Sequence, residues 1–211
     1  MNSYGDQVMA DELPELFTIG HSTQTIDEFL SRLHQHGITA LADVRSHPYS
    51  SYTPHFNREE LSQQLVTVGI KYVFLGKELG ARREESQCYD GDRAEYHRIA
   101  VLPAFRDGLA RLRYGAKQFR IALMCAEKEP IDCHRTILIC RHIRDKFSIK
   151  HIHADGSIER HEDLERRLVQ QMGVSRTLFE PNLTDEELIL RAYDERALEI
   201  AYQLTDEGAS A

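Results

Sequence analysis

The sequence predicts an α/β fold with three layers, αβα, built on a mostly parallel sheet of about five strands, plus a C-terminal amphipathic helix. Short apolar runs, typical of buried strands, alternate with segments whose apolar residues recur at helical spacing. Residues 16–44 read as strand, helix and strand, which is the order of a βαβ unit. Because such a crossover joins parallel strands, we expect most of the sheet to be parallel.

The first half of the chain contains three predicted strands separated by two predicted helices. Thr25 and Glu28 form a capping box at the start of the first helix, and Gly37 ends it. Asn57 caps the second helix and Gly69 ends it. The predicted strands are residues 16–20, 38–44 and 70–75.

The second half begins with residues 76–91, which show no apolar period and are interpreted as a functional loop. Residues 94–114 have a helical pattern that Pro103 divides into two pieces. A strand at 121–124 leads into a helix that starts near Cys133. A fifth strand at 148–152, a turn at 155–156 and a helix ending at Gly173 complete the predicted domain.

We expect three regions: a flexible leader in residues 1–15, an α/β domain in 16–173, and an acidic helical extension in 174–211. Thr184 and Glu187 form the capping box of the helix in the extension. Its apolar stripe could pack back on the domain, or it could bind a partner or a second copy and form a homodimer.

The chain has a formal net charge of -8 and a pI near 5.8, so it is not a general electrostatic trap for nucleic acid or anionic membranes. Residues 184–211 contain eight acidic and two basic residues, which leaves only -2 for the rest. Nucleic acid is therefore not favoured as a partner, although the main domain could hold a local basic site.

The cysteines are Cys88, Cys125, Cys133 and Cys140. The first residues are polar and acidic rather than an apolar signal, and no run is long enough to span a bilayer. These features predict a cytoplasmic protein without a membrane partner. In a reducing compartment, free thiols, metal ligands or catalytic cysteines are expected rather than structural disulfides.

Reactive side chains follow three of the predicted strands. Because the carboxyl ends of parallel strands meet at one edge of a sheet, we expect these side chains to converge there. They are His21 and Ser22, Asp43 and Arg45, and Cys125 and Glu127.

Cys133 is predicted to lie in the first turn of a helix capped by Asp132, next to His134 and Arg135. Unpaired backbone N–H groups at a helix start favour an anion and would lower the pKa of the thiol. The same turn could instead bind a phosphate or carboxylate of a substrate. The alternative for both Cys125 and Cys133 is a small buried core residue.

A metal is the second chemical interpretation, because thiolate and imidazole ligands suit zinc or iron. The candidate donors are Cys125, Cys133, His134, His21 and Glu127. Against a metal, no pair shows the two-residue spacing of structural zinc sites, and adjacent Cys133 and His134 would not easily reach one ion from a regular helix. The metal therefore stays undetermined.

An ordered set of motifs resembles the DUF488 family, a bacterial and archaeal domain of unknown function. The resemblance covers residues 16–159 and departs at Ala81, where Gly is expected, and it does not cover the acidic extension. It implies a small α/β domain with these polar residues grouped together, but no reaction. The motifs are Thr18-Ile19-Gly20-His21-Ser22, Asp43-Val44-Arg45-Ser46 with Pro48, Ser50 and Phe56, Leu79-Gly80, Cys125-Ala126-Glu127, and Cys133-His134-Arg135.

The leading hypothesis is a cysteine-dependent hydrolase or transferase acting on a small anionic or nucleotide-like substrate. Either Cys133 or Cys125 would be the nucleophile, with His21 or His134 carrying the proton. The other residues assigned to catalysis are Asp43 and Glu127, and those assigned to substrate binding are Ser22, Arg45, Ser50, His134 and Arg135. The alternative is a non-catalytic module that binds a nucleotide, a metal or nucleic acid, for example in DNA repair or stress response.

Overall fold

The computed structural model describes residues 13–204. The predicted leader falls outside the described residues as far as residue 12, and the last seven residues of the extension also lie outside them. Among residues 13–204, no helix is both long and apolar enough to cross a membrane.

A six-stranded sheet forms the middle layer, in the order β3-β2-β6-β1-β7-β8. The first five strands in that order are parallel to their neighbours, and β8 pairs antiparallel with β7. The strands are β1 (Glu15–Gly20), β2 (Ala40–Asp43), β3 (Lys71–Phe74), β6 (Ile121–Cys125), β7 (Ser148–Ile152) and β8 (Ile158–Arg160). Residues 89–90 (β4) and 93–94 (β5) form a separate short hairpin.

Helices cover both faces of the sheet, so the predicted three-layer αβα fold is confirmed. On one face, α1 and α2 bury Phe29, Leu33, Leu61 and Leu65 against the sheet. The opposite face packs against the remaining long helices and a helical turn at 135–142. The helices are α1 (Ile26–Gln35), α2 (Arg58–Thr67), α3 (Gly76–Leu79), α4 (Tyr96–Ala100), α5 (Pro103–Gly115), α6 (His161–Met172) and α7 (Asp185–Ile200).

Local chemistry at the helix ends agrees with the sequence. The capping boxes of Thr25 and Thr184 both form, and Pro103 opens α5 after α4 ends at Ala100. Gly173 ends α6 in the left-handed region, with φ of 67°. Asn57 precedes α2 as expected, but its side chain makes no capping hydrogen bond; its Oδ1 accepts the Ser50 amide instead.

Several elements differ from expectation. Residues 76–91, which were expected to form a loop, contain α3 and β4. The strand β8 was not predicted, because three residues after a turn carry too little pattern to be recognised. The segment after Cys133 is a π-helix at Arg135–Ile139 followed by a 3-10 turn at Cys140–His142, where an α-helix was expected. All five residues of the π-helix are buried, and short π-helical turns are rare and frequently lie at functional sites.

Candidate functional site

The carboxyl ends of β1, β6 and β2 meet at one edge of the sheet, as the sequence predicted. β6 lies between the other two strands. The amides of His21 and Ser22 continue the ladder by donating to the carbonyls of Cys125 and Ala126, at 3.0 and 2.9 Å. The Val44 amide donates to the Met124 carbonyl at 3.1 Å. These bonds fix the loops that follow the three strands.

A pocket of about 220 Å³ opens at this edge, and we call it the thiol pocket. Five of the predicted site residues line it: Arg45, Cys125, Glu127, Cys133 and His134. The other five, His21, Ser22, Asp43, Ser50 and Arg135, lie outside its lining. The sequence therefore pointed to the residues around the thiols that line the pocket. It also assigned to the site residues that lie outside the lining.

Cys125, Cys133 and His134 form a compact cluster in the thiol pocket. The Sγ atoms of both cysteines and Nδ1 of His134 lie within 4.8 Å of one another. Nδ1 is 3.5 Å from Cys125 Sγ and 3.9 Å from Cys133 Sγ. No disulfide joins the cysteines. A single imidazole nitrogen therefore serves both thiols.

The orientation of His134 is set by the backbone of the neighbouring loop. Its Nε2 lies 3.0 Å from the carbonyl oxygen of Val44, which can only accept, so Nε2 carries a proton. Nδ1 is then free either to accept a proton from Cys125 or, in the imidazolium, to donate one to the thiolate. This geometry allows His134 to exchange a proton with Cys125.

The surroundings move the pKa values of the two thiols in opposite directions. A hydrogen bond from the Cys133 thiol lowers the pKa of Cys125 well below its usual range, against the effect of burial and with help from the His134 and Arg135 charges. Burial raises the pKa of Cys133 well above its usual range, and the adjacent Cys125 adds to this. Burial alone would lower the pKa of His134, but the Cys125 charge raises it. These directions favour the charged form at Cys125 and the protonated form at Cys133.

Cys133 does not occupy the first helical turn that the sequence predicts. Its backbone is extended, with φ of -135° and ψ of 139°. Its carbonyl accepts the amides of Thr136 and Ile137, and its Sγ accepts the Arg135 amide at 3.4 Å. Cys133 thus makes the contacts of a capping residue, which the sequence assigned to Asp132. The extended backbone brings Cys133 and His134 to the same point, which a regular helix would not.

Behind the thiol pocket, Asp43, Arg45 and His21 form a buried network. The guanidinium of Arg45 donates to both carboxylate oxygens of Asp43, at 2.9 and 2.7 Å, and to the Phe56 carbonyl at 2.8 Å. Tyr72 donates its hydroxyl to Asp43 at 2.7 Å. With these partners, Arg45 braces the Asp43–Arg45 turn rather than offering a free guanidinium to an anion.

His21 is held in its neutral form. Its Nδ1 donates to the Ser22 carbonyl at 2.9 Å, so Nε2 faces the Arg45 guanidinium at 3.3 Å with its lone pair. Burial and the Arg45 charge lower the pKa of His21 to about 4. The ring stacks on Phe56 with centroids 4.3 Å apart. These contacts hold the ring outside the lining of the thiol pocket.

Arg135 holds the loop that connects β6 to Cys133. It is fully buried, and it donates to the carbonyls of Glu127 and Lys128 at 2.7 and 3.3 Å. Its charge still reaches the thiols and lowers the pKa of Cys125. Glu127 itself is exposed at the mouth of the pocket, where partial desolvation and the Cys125 charge raise its pKa.

Ser22 and Ser50 shape loops near the site. Ser22 has a left-handed backbone with φ of 47°, which turns the chain after β1. The hydroxyl of Ser50 accepts the amides of Tyr52 and Thr53 at 3.2 and 3.4 Å. Neither serine lines the thiol pocket.

The sequence missed several residues that complete the pocket, chiefly Tyr96, Arg82 and Tyr202. Burial raises the pKa of the Tyr96 phenol, and the proximity of Cys133 and Cys125 reinforces the shift. Arg82 lies in residues 76–91, which were interpreted as a functional loop, and that interpretation could have indicated that Arg82 belongs to the site. Nothing in the sequence connects Tyr96 or Tyr202 to the cysteines.

The C-terminal extension supplies one wall of the pocket through Ile200 and Tyr202. Arg196 of α7 donates to the Ile131 carbonyl at 3.2 Å and pairs with the Asp132 carboxylate. The Tyr202 carbonyl accepts the Ala94 amide at 2.8 Å. Of the two arrangements open to the tail helix, the structure has it packed on the domain.

Comparisons with known proteins give one result. A family model described as "Domain of unknown function DUF488" matches residues 25–141, which is more than half of the chain. No curated protein and no solved structure matched. The matched span contains both pocket cysteines and His134 and stops before α7.

Proposed function

Since the chain belongs to the DUF488 family, whose description names no activity, we propose a function from the thiol pocket itself: a cysteine-dependent hydrolase or transferase that acts on a small anionic substrate. Cys125 is the nucleophile in this proposal, and His134 is the proton carrier. Cys133 keeps its proton and stabilises the thiolate.

The observation that carries the proposal is the contact between Cys125 Sγ and His134 Nδ1 at the floor of an open pocket. A cysteine and a histidine at hydrogen-bonding distance, with the histidine oriented by a third group, is the general arrangement of thiol nucleophiles. Here the orienting group is the Val44 carbonyl. Lowered pKa of the thiol and raised pKa of the imidazole support the same ion pair.

The reaction has two halves. The Cys125 thiolate attacks an electrophilic carbon or phosphorus, forming a bond to sulfur while the bond to the leaving group breaks. The imidazolium of His134 gives its Nδ1 proton to the leaving group. Water, or another acceptor in a transferase, then attacks the intermediate and gives its proton to Nδ1 as the thiolate departs. His134 ends protonated and Cys125 ends as the thiolate, so the site returns to its starting state.

An activated ester tests the proposal. We expect p-nitrophenyl acetate to release nitrophenol and leave an acetyl group on Cys125, detected by peptide mass spectrometry. Cys125→Ser should abolish the adduct, and Cys88→Ser should keep it, because Cys88 is also buried but lies away from the pocket. Equal nitrophenol release by the wild-type and Cys125→Ser proteins would refute a nucleophilic role.

A specific observation favours a second candidate, a non-catalytic or catalytic metal site. Tetrahedral zinc with ordinary bond lengths places sulfur and nitrogen ligands about 3.6 Å apart, and the Sγ to Nδ1 distances are 3.5 and 3.9 Å. The Val44 carbonyl would hold the other nitrogen of His134, as is usual for metal-bound histidine. Three protein donors would leave one position for water or a substrate.

Elemental analysis of the purified protein separates the two candidates. One equivalent of zinc or iron per chain, lost in Cys133→Ala and kept in Cys88→Ala, would favour the metal. Protein without bound metal, and with Cys125 acetylated by the ester, would favour the nucleophile.

A further inference from the structure

A larger cleft adjoins the thiol pocket, and we call it the basic cleft. Its volume is about 650 Å³, which is in the range of small-molecule sites. Ser46, His47 and Arg82 line both cavities, so the two lie side by side. A molecule with one end at Cys125 could therefore extend into the basic cleft.

Three positive side chains in the basic cleft are available to a ligand. Within residues 13–204, Arg58, Lys77 and Arg82 form no ion pair, and all three are exposed. The fourth cation, Arg83, is already paired with Glu85 at 2.7 Å and donates to the Lys77 carbonyl. This contrasts with Arg45 and Arg135, which are buried and donate to carboxylate or carbonyl oxygens inside the protein.

Two of the three cations are held in place by aromatic rings. The guanidinium of Arg58 lies 4.6 Å from the centroid of the Phe74 ring. That of Arg82 lies 4.5 Å from the centroid of the Tyr202 ring. Stacking of this kind fixes the plane of the guanidinium and leaves its N–H edge free. Less side-chain freedom is then lost when an anion binds.

The distribution of charge makes the basic cleft unusual in this chain. The protein is acidic, with a net charge of -8. Among the acidic residues that line the cleft, Glu85 is neutralised by Arg83, which leaves Glu84 against three cations. A local excess of positive charge within an acidic protein indicates a specific anion site rather than general attraction to polyanions.

We infer that the basic cleft binds the phosphate group of a small phosphorylated substrate, a phosphate monoester, whose reacting group enters the thiol pocket. This inference rests on the proposed function for the identity of the reacting end. Guanidinium groups match phosphate oxygens in bidentate pairs, and Lys77 adds a point charge. Three cations around one small cleft suit a monoester, whereas a nucleic-acid strand would need a longer basic track.

Binding of adenosine 5′-monophosphate and of adenosine, measured by isothermal titration calorimetry on the full chain, tests the inference. We expect the monophosphate to bind at least tenfold more tightly than adenosine. Arg82→Gln and Arg58→Gln should each weaken the monophosphate about tenfold, as expected for loss of a charge-assisted hydrogen bond. Arg113→Gln, which removes an exposed charge from α5 outside the cleft, is the matched control and should change nothing.

The failures of the two proposals can be told apart. Cys125→Ser should bind the monophosphate as tightly as the wild type, because the phosphate site does not use the thiol. Binding with this pattern but without an acetyl adduct on Cys125 would refute the nucleophile and keep the phosphate site. Equal binding of adenosine and its monophosphate, or an Arg82→Gln protein that binds like the wild type, would overturn the inference. Tighter binding of a short single-stranded oligonucleotide than of the monophosphate would also overturn it.

Discussion

Cys125 and Cys133 are both buried, and they differ in what each faces. Cys125 faces a thiol and an imidazole, so its negative charge is stabilised. A negative charge on Cys133 would be repelled by the charge of Cys125. A sequence shows residue types but not these neighbours. For that reason the sequence favours Cys133, beside a predicted helix start, as the thiolate, whereas the structure favours Cys125.

His21 leads to a prediction about acid stability. Its pKa of about 4 in the folded protein is below the ordinary 6.5. Between these values the unfolded chain binds more protons, so the free energy of unfolding falls as the pH falls through 6.5 towards 4. Between pH 7 and pH 5, protonation of this group in the unfolded chain should lower the free energy of unfolding by about 2 kcal/mol.

Urea unfolding at the two pH values measures this effect, with His21→Asn as the comparison. The variant loses the stack on Phe56, so it should be less stable at pH 7, yet its stability should decline less on acidification. An identical decline in both proteins would show that His21 is not held neutral.

At the scale of elements, β1 and the loop after β6 are packed so closely that only glycine fits at position 20. A Cβ on Gly20 would lie 1.8 Å from the carbonyl oxygen of Glu127, which is backbone and can move only if the loop shifts. The close approach lets His21 and Ser22 continue the ladder to β6. A tripeptide motif that includes Gly20 was visible in the sequence, but its partner loop was not.

We therefore expect Gly20→Ala to lower the free energy of unfolding by about 2 kcal/mol or more, since the loop must shift. Gly91→Ala is the control: it has a φ of 57° and no atom within 4 Å of the new Cβ, so it should cost only about 1 kcal/mol of backbone strain. Denaturant melts of the two variants would contradict this account if Gly20→Ala were the milder change.

The α7 helix is tied to the sheet by a buried chain of hydrogen bonds. Thr18 contacts His151 at 2.8 Å, His151 contacts His161 at 2.9 Å, and His161 contacts the Tyr193 hydroxyl at 3.0 Å. Tyr193 donates to Glu165 at 3.0 Å. If each group donates to the next one from the Thr18 hydroxyl to Glu165, every ring nitrogen of these two histidines has a hydrogen-bond partner.

Tyr193→Phe should therefore destabilise the protein by about 1–3 kcal/mol, because Glu165 and His161 lose a buried partner. Tyr52→Phe removes the same hydroxyl from a side chain that is 94% exposed, and it should change stability by no more than about 0.5 kcal/mol. Thermal melts of the pair measure the difference. A Tyr193→Phe protein as stable as Tyr52→Phe would mean that these buried hydrogen bonds do not stabilise the packing of α7.

For the whole molecule, the sequence was a good guide to the layers and to the edge of the sheet that carries the site. Helix caps, such as Thr25 and Gly173, and apolar strands are local signals, so they could be read directly. The pocket also depends on residues that are distant in sequence, such as Tyr96 and Tyr202, which line it together with the cysteines. The division of the chain at residue 173 remains a proposal, and α7 supplies part of the pocket wall on the far side of that boundary.

The pH dependence of Cys125 alkylation by iodoacetamide, mapped by peptide mass spectrometry on the full-length chain, tests the central claim most directly. We predict a midpoint well below the value of about 8.5 for a free thiol, and continued labelling of Cys125 at pH 6.5. The midpoint should rise in Cys133→Ala, which removes the donor thiol, and stay unchanged in Cys88→Ala. A wild-type midpoint at or above that of a free thiol, or no labelling of Cys125 at pH 6.5, would contradict the account.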